Sequence, residues 1–273
     1  MRRKSTSKLT YNIYMIEISP EDVTAEIRGV FDISQPTMPR AFNVLEGVTR
    51  GQILVDDPAH PTRAVVHEEA FGTLYFGGHV DESLLAALVD EFRQFGDVGI
   101  GCWLEDPLNE MLPPHPNYDG STYYFPQRAQ SMDLAPLMQA LPTGMRLVPR
   151  DEHLLKKSFD YTLTLASFGS VEKVMEQTLG VMILDGDALV CEAATGAPTH
   201  GCIEVGVTTA RTHRQRGLAA MACASLIREC EARGYSTWWD CAKQNIPSVK
   251  LAQKLGYVQG LEYHYTLWAM HQI

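Results

Sequence analysis

A change of hydrophobic period between residues 202 and 232 limits the fold of this chain more than any other feature. Ile203, Val205 and Val207 alternate with Glu204, Gly206 and Thr208. Alternation with β-branched residues predicts a half-buried strand. After Thr209 comes a basic turn, Arg211 to Arg216, and from Gly217 the period changes. Ala219, Ala222, Cys223, Leu226 and Cys230 then recur at spacings of three and four, one face of a helix. The unit is a strand, an arginine-rich turn ending in glycine, and a helix.

Such a turn suits an anion. The first N–H groups of a helix lack intrahelical partners and carry partial positive charge. Gly217 has no side chain to keep a phosphate away, and Arg214 and Arg216 add formal charge. From Arg211 to Tyr257 there are eight Lys/Arg against three Asp/Glu, in a chain of net charge −10.

Further on, Ser236-Thr-Trp-Trp-Asp-Cys241 predicts another strand, and Asn245-Ile-Pro-Ser248-Val-Lys-Leu251-Ala-Gln-Lys-Leu-Gly256-Tyr257 a second helix. With Arg214-Gln-Arg-Gly217-Leu-Ala219, these resemble, in order, the pyrophosphate loop, the next strand and the following helix of the GNAT superfamily of N-acetyltransferases. Gly51-Gln-Ile-Leu-Val-Asp-Asp and Phe76-Gly-Gly extend the likeness to the subfamily that includes the zwittermicin A resistance acetyltransferase.

The resemblance implies an α/β protein. Its carboxyl-terminal GNAT domain, residues 146–273, would be a mixed, mostly antiparallel sheet flanked by helices, preceded by a divergent α/β domain over 1–145 related to the substrate. It implies acetyl-CoA as co-substrate, held by Val207, Thr208, Thr209, Arg214, Gln215, Arg216, Gly217, Leu218, Ala219, Asn245 and Ser248. The Val207 N–H would meet the acetyl carbonyl and Thr209 the pantetheine. The activity implied is N-acetylation of an amine, of a small molecule or else of a protein or peptide.

The proton-transfer groups are less defined. Glu204 lies near where several family members carry a catalytic glutamate, but strand parity puts its side chain opposite that of Val207. A surface or salt-bridged carboxylate would read the same way. Glu192 is a second candidate. Many members carry a tyrosine acid directly after the Leu of the Asn-led helix, where this chain has Ala252. Tyr257, Tyr263 and Tyr265 are the substitutes within reach, with Tyr257 foremost. Otherwise the thiolate departs without that acid, or the chain is an acyl-CoA-binding sensor without transferase activity. Asn245 also suits a helix N-cap, with Pro247 tolerated in the first turn.

Composition narrows the partners. The acidic balance argues against nucleic acid and anionic membranes. No apolar run approaches the ~20 residues of a membrane span. The six cysteines show no paired spacing, and the basic first residues lead into no apolar signal core, so a reduced, cytoplasmic protein is expected. No histidine pair or Cys-x-x-Cys supports a metal site. A homodimer is an open alternative to a monomer.

The rest of the chain predicts strands at 51–55, 64–66, 73–78 and 98–104, and a helix from Glu82 to Phe95 capped by Asp81. Residues 105–130, rich in Pro, Asn and Asp, predict a long loop whose Tyr123 and Tyr124 lie at the substrate mouth. A short helix at 132–141, a strand at 146–149 and helical stretches at 152–159 and 170–178 follow. Strands at 180–184 and 188–193 are joined by Asp185-Gly186-Asp187, and Leu261 to Trp268 is the last strand. Residues 1–14 read as an extension, and no internal repeat is visible.

Overall fold

The computed structural model describes residues 6–8, 14–129, 132–138, 141–258 and 260–271, so most of the expected amino-terminal extension lies outside the described residues. The strands are β1 (Thr6–Lys8), β2 (Tyr14–Ile18), β3 (Gly51–Val55), β4 (Arg63–Glu68), β5 (Thr73–Gly78), β6 (Val98–Trp103), β7 (Tyr118–Phe125), β8 (Met145–Pro149), β9 (Gly180–Asp185), β10 (Ala188–Thr195), β11 (Cys202–Thr209), β12 (Ser236–Ala242) and β13 (Glu262–Trp268). The helices are α1 (Ala25–Gly29), α2 (Met38–Leu45), α3 (Glu82–Phe92), α4 (Leu108–Met111), α5 (Glu152–Leu155), α6 (Tyr161–Phe168), α7 (Val171–Gln177), α8 (Leu218–Ala232) and α9 (Ile246–Lys254).

The chain forms two compact units, Met1–Thr122 with Glu262–Ile273, and Tyr123–Leu261. The division falls before the expected residue 145, and β13, expected to close the second unit, belongs to the first. There it runs antiparallel to β6, Tyr263 opposite Trp103 and Trp268 opposite Val98. Its alternating apolar residues marked a strand, but only a partner edge selects which sheet it completes.

In the second unit β8, β9, β10 and β11 are antiparallel neighbours, and β12 joins β11 in parallel after the α8 crossover. A parallel neighbour needs such a crossover, whereas antiparallel ones need only turns. The apolar stripe of α8, with Leu218, Ala222, Leu226 and Cys230, packs on Ile183, Val190, Ile203 and Val205 of the sheet. Segment 150–178, with α5 to α7, brings Arg150, Ser158 and Thr178 to the opposite face.

The first unit repeats this order. β2, β3, β4 and β5 are antiparallel neighbours, and β6 joins β5 in parallel after α3. The face of Leu54, Val65 and Leu74 packs on α3, and that of Ile53, Val55 and Val66 on α1 and α2. The strand and crossover order of one unit is therefore that of the other. No repeat shows in the sequence, because a fold of this kind needs matching periodicity rather than matching residues.

Between residues 105 and 130 the structure overturns the expected loop. Ahead of α4, Asp106 Oδ1 accepts from the Leu108 N–H at 2.9 Å, and Tyr118–Phe125 is an eight-residue strand. The Pro and Asn flanks hid its β-forming Thr-Tyr-Tyr-Phe. Of the helix expected at 132–141, the described part contains only a 3-10 turn, Ala135–Leu137.

Candidate functional site

The site is built where β11 parts from β12. Among the described residues their ladder pairs Cys202 with Ser236, Ile203 with Thr237 and Glu204 with Trp238, and goes no further. On its other edge β11 stays paired with β10 from Val205 to Thr209. The Gly196 N–H donates to the Glu204 carbonyl at 3.2 Å and the Ala210 N–H to the Val190 carbonyl at 2.9 Å. Even-numbered backbone groups therefore face β10. The N–H and C=O of Val205, Val207 and Thr209 face the opening instead.

The Val207 side chain packs against the α8 core, so its peptide lies in the sheet plane while its side chain is anchored. The Thr209 hydroxyl lies 3.3 Å from Cys191 Sγ, and its carbonyl accepts from Arg214 Nε at 3.2 Å. Arg214 is thus folded back over the end of the strand that opens.

A 3-10 turn, Arg211–His213, leads into the loop. Gln215 takes a left-handed backbone at φ 61° and Gly217 another at φ 79°, which glycine accepts without strain. Gly217 is the N-cap of α8, has no side chain to cap it, and a Cβ added there would meet nothing within 4 Å. Arg214, Gln215 and Arg216 are exposed. Leu218 differs: its side chain is 1% exposed and belongs to the core, so only its N–H faces the loop. Ala219 is half-buried in the first turn. Uncapped amides, a left-handed glycine beside open space and two exposed guanidiniums fit the pyrophosphate of a coenzyme A thioester.

Asn245 caps α9 by accepting from the Ser248 N–H at 3.4 Å. The Ser248 hydroxyl accepts from the Trp239 indole at 3.1 Å. Asn245 thus closes the first turn of α9, and Ser248 ties α9 to β12. Thr208 lies across from Glu192 on β10.

Glu204 is half-buried on the face opposite α8, as parity required, and shares that face with Trp238. The Tyr124 ring lies 5.5 Å from Trp238, so Tyr124 belongs to the Glu204 face. Tyr123 turns the other way, against the α8 core, with Lys243 Nζ 5.4 Å from its ring centre.

Two of the expected proton-transfer groups are buried and hydrogen-bonded inside the second unit. Tyr257 is 3% exposed and donates to Thr237 Oγ1 at 2.8 Å; burial pushes its phenol well above the ordinary range. Glu192 is 4% exposed and accepts from Ser158 Oγ at 2.7 Å, from the Phe159 N–H at 3.2 Å and from Arg150 at 3.5 Å. Nothing in sequence separated these from Glu204, because burial is a tertiary property. Ala252 is wholly buried against the same core, and Tyr263 and Tyr265 lie on β13 in the first unit.

A family model, described as GNAT acetyltransferase, matches residues 33–266. The chain belongs to the GNAT acetyltransferase family. It is 30% identical over 125 residues to the uncharacterized N-acetyltransferase YdfB of Bacillus subtilis (strain 168), a match covering 45% of this chain and 48% of that protein. The chain thus spans about half the length of this curated relative. In three dimensions it resembles a GCN5-related N-acetyltransferase-like protein from Streptococcus suis 89/1591, with a TM-score of 0.67, 24% identity, and coverage of 88% of this chain and 96% of that one. It also resembles a tandem GNAT protein from the clavulanic acid biosynthesis pathway, with a TM-score of 0.59, 10% identity, and coverage of 93% and 94%. These likenesses establish the mixed α/β GNAT fold in a protein with two similarly ordered units.

Among the described residues no group of three or more His, Cys, Asp or Glu is placed to hold a metal ion. Nor is any helix among them long and apolar enough to cross a membrane. All six cysteines are free thiols.

Proposed function

We propose that the chain is an acetyl-CoA-dependent N-acetyltransferase acting on the amine of a small molecule. One observation carries the reading: β11 loses its β12 neighbour after Glu204, directly ahead of a helix capped by bare Gly217. The opening offers backbone donors to a thioester carbonyl while the loop holds the pyrophosphate. Acetyl-CoA supplies the activated acyl group.

In this reading the Val207 N–H polarises the acetyl carbonyl as it gains negative charge. Thr209 positions the pantetheine arm, and Arg214, Arg216 and the Leu218 and Ala219 N–H groups hold the phosphates. Glu204 takes the ammonium proton, directly or through water. With Tyr257 bonded inside the core, the departing thiolate takes its proton from water. Tyr124, tilted against Trp238 on the Glu204 face, contributes to the acceptor's surroundings. The zwittermicin A resistance likeness and a reduced, cytoplasmic setting belong to the same proposal; six unpaired thiols support the latter.

Turnover of acetyl-CoA against a panel of polyamines and aminoglycosides tests it, with thiol release as the readout. A second reading, an acyl-CoA-binding sensor, is favoured by the buried Ala252 where a tyrosine acid would stand. Tight CoA binding without release for any amine would select it.

A further inference from the structure

The structural repeat puts a second opening in the first unit, and it is hollow. The parallel ladder of β5 and β6 pairs Thr73 with Gly99 and Leu74 with Ile100, and no further among the described residues. Beyond it lies a cavity of about 310 Å³, at the lower end of ligand-sized pockets. Its walls come from the open end of β5, from β6, from the segment between α1 and α2, and from the start of α4. The His79 N–H donates to the Thr62 carbonyl at 3.2 Å and the Gly99 N–H to the Gly72 carbonyl at 2.9 Å. By that alternation the peptide N–H of Phe76 faces the opening, as Val207 does in the second unit.

Among the described residues this opening has no comparable anion cradle. β5 reaches α3 in three residues, His79 to Asp81, where β11 needs eight to reach α8. Asp81 caps α3 through the Leu84 N–H at 2.9 Å. Its carboxylate sits at the helix end where the second unit has bare Gly217, and that bond holds its pKa below the ordinary value. A pyrophosphate has neither a loop nor a free helix end here, so a CoA-type ligand does not fit.

The lining has a definite charge. Among the described residues it includes the carboxylates of Asp32 and Asp106, one imidazole, His79, and no lysine or arginine. Gln35 Nε2 donates to Asp106 Oδ2 at 3.2 Å, tying the α1–α2 segment to the start of α4 across the cavity. Met38, Leu74, Phe76 and Met111 make the remaining wall largely apolar. Carboxylates beside an apolar wall recognise a cation carried on a hydrocarbon body.

We propose that this cleft is a binding site for a small organic ammonium compound, distinct from the acetyl-transfer opening and unable to take CoA. It needs no catalysis in the second unit, so it stands or falls apart from the acetyltransferase reading.

The test uses the full chain and matched probes: phenethylamine, 2-phenylethanol and 3-phenylpropionate, each followed by backbone amide NMR, with CoA titrated separately. Phenethylammonium should shift amides of Tyr75–Val80, of Gly101–Asp106 and of Leu108, the alcohol should do so weakly and the carboxylate not at all. CoA should shift residues around Gly217 and leave the cleft unmoved. Asp32→Asn with Asp106→Asn keeps the acceptor oxygens that receive the Ser34 and Leu108 N–H groups, and the Gln35 side-chain amide, turned over, can offer its oxygen to the new N–H in place of its present bond, so the fold should persist. It should weaken phenethylammonium by about tenfold or more. The proposal is overturned if the ammonium leaves the cleft amides still, if the three probes bind alike, if a folded double variant binds as the parent does, or if CoA moves the cleft.

Discussion

Glu204 and Trp238 are the last paired residues between β11 and β12, so the carboxylate stands at the point where the sheet opens. That placement gives Glu204 the access that Glu192 and Tyr257 lack. Glu204→Gln should lower turnover by about 10²-fold, the usual scale of general-base catalysis, and leave CoA affinity unchanged. The acidic limb of the pH–rate profile should disappear with it. A normal profile in the variant would return Glu204 to a structural role.

Tyr257→Phe should separate acid catalysis from packing. Loss of the bond to Thr237 should cost about 1 kcal/mol, because one buried hydroxyl acceptor is left unmet, and lower the melting temperature. The kcat should not change. A large fall in kcat at unchanged stability would restore the phenol as an acid.

The phosphate loop is tested with two variants of one residue. Gly217→Glu brings a carboxylate to the helix end and should abolish CoA binding measured by calorimetry. Gly217→Asn tolerates the left-handed backbone and should keep the fold while weakening CoA several-fold. Arg214→Ala should weaken CoA more than pantetheine, because the lost contact is charge-assisted to phosphate. Equal losses for both ligands would remove Arg214 from the phosphate site.

Glu192→Gln should destabilise the second unit by about 3 kcal/mol, since it leaves the buried Arg150 guanidinium without its counter-charge. Burial already depresses the Arg150 pKa, with Glu192 opposing that shift. Melting followed by tryptophan fluorescence, to which Trp238 and Trp239 of the second unit contribute alongside Trp103 and Trp268 of the first, should show the loss. Residual turnover in the folded variant should stay normal, in contrast with Glu204→Gln.

His67 predicts a pH dependence of stability. Burial lowers its pKa from 6.5 to about 4, with its ring 4.1 Å from that of Phe92. Between these values the unfolded chain binds a proton that the folded chain refuses. The stability associated with neutral His67 is therefore full above about pH 6.5 and falls as the pH drops toward 4, by up to about 3 kcal/mol. Glu69 and Asp97 line the same recess. A His67→Gln variant should gain on the parent steadily over that interval in denaturant titrations; a constant difference would mean that His67 titrates as an ordinary imidazole.

Local signals decided much of this protein. The alternation of Ile203, Val205 and Val207, the turn to Gly217 and the helical stripe of α8 were all legible, because each depends on neighbours within a few residues. So was the Asp81 cap, and so was the family, whose motifs sit in those same elements. What needed the tertiary structure is what depends on distant partners. The alternation of β13 marks a strand equally well in either sheet, and only its pairing with β6 placed it in the first unit. Glu192, Glu204 and Tyr257 are ordinary polar letters in sequence. Arg150 from β8's end, Thr237 on β12 and the parting of β11 from β12 decide which is buried and which lies half-buried where the sheet opens. The repeat escaped sequence for the same reason: the two units share the order in which periods alternate, not the residues that fill them.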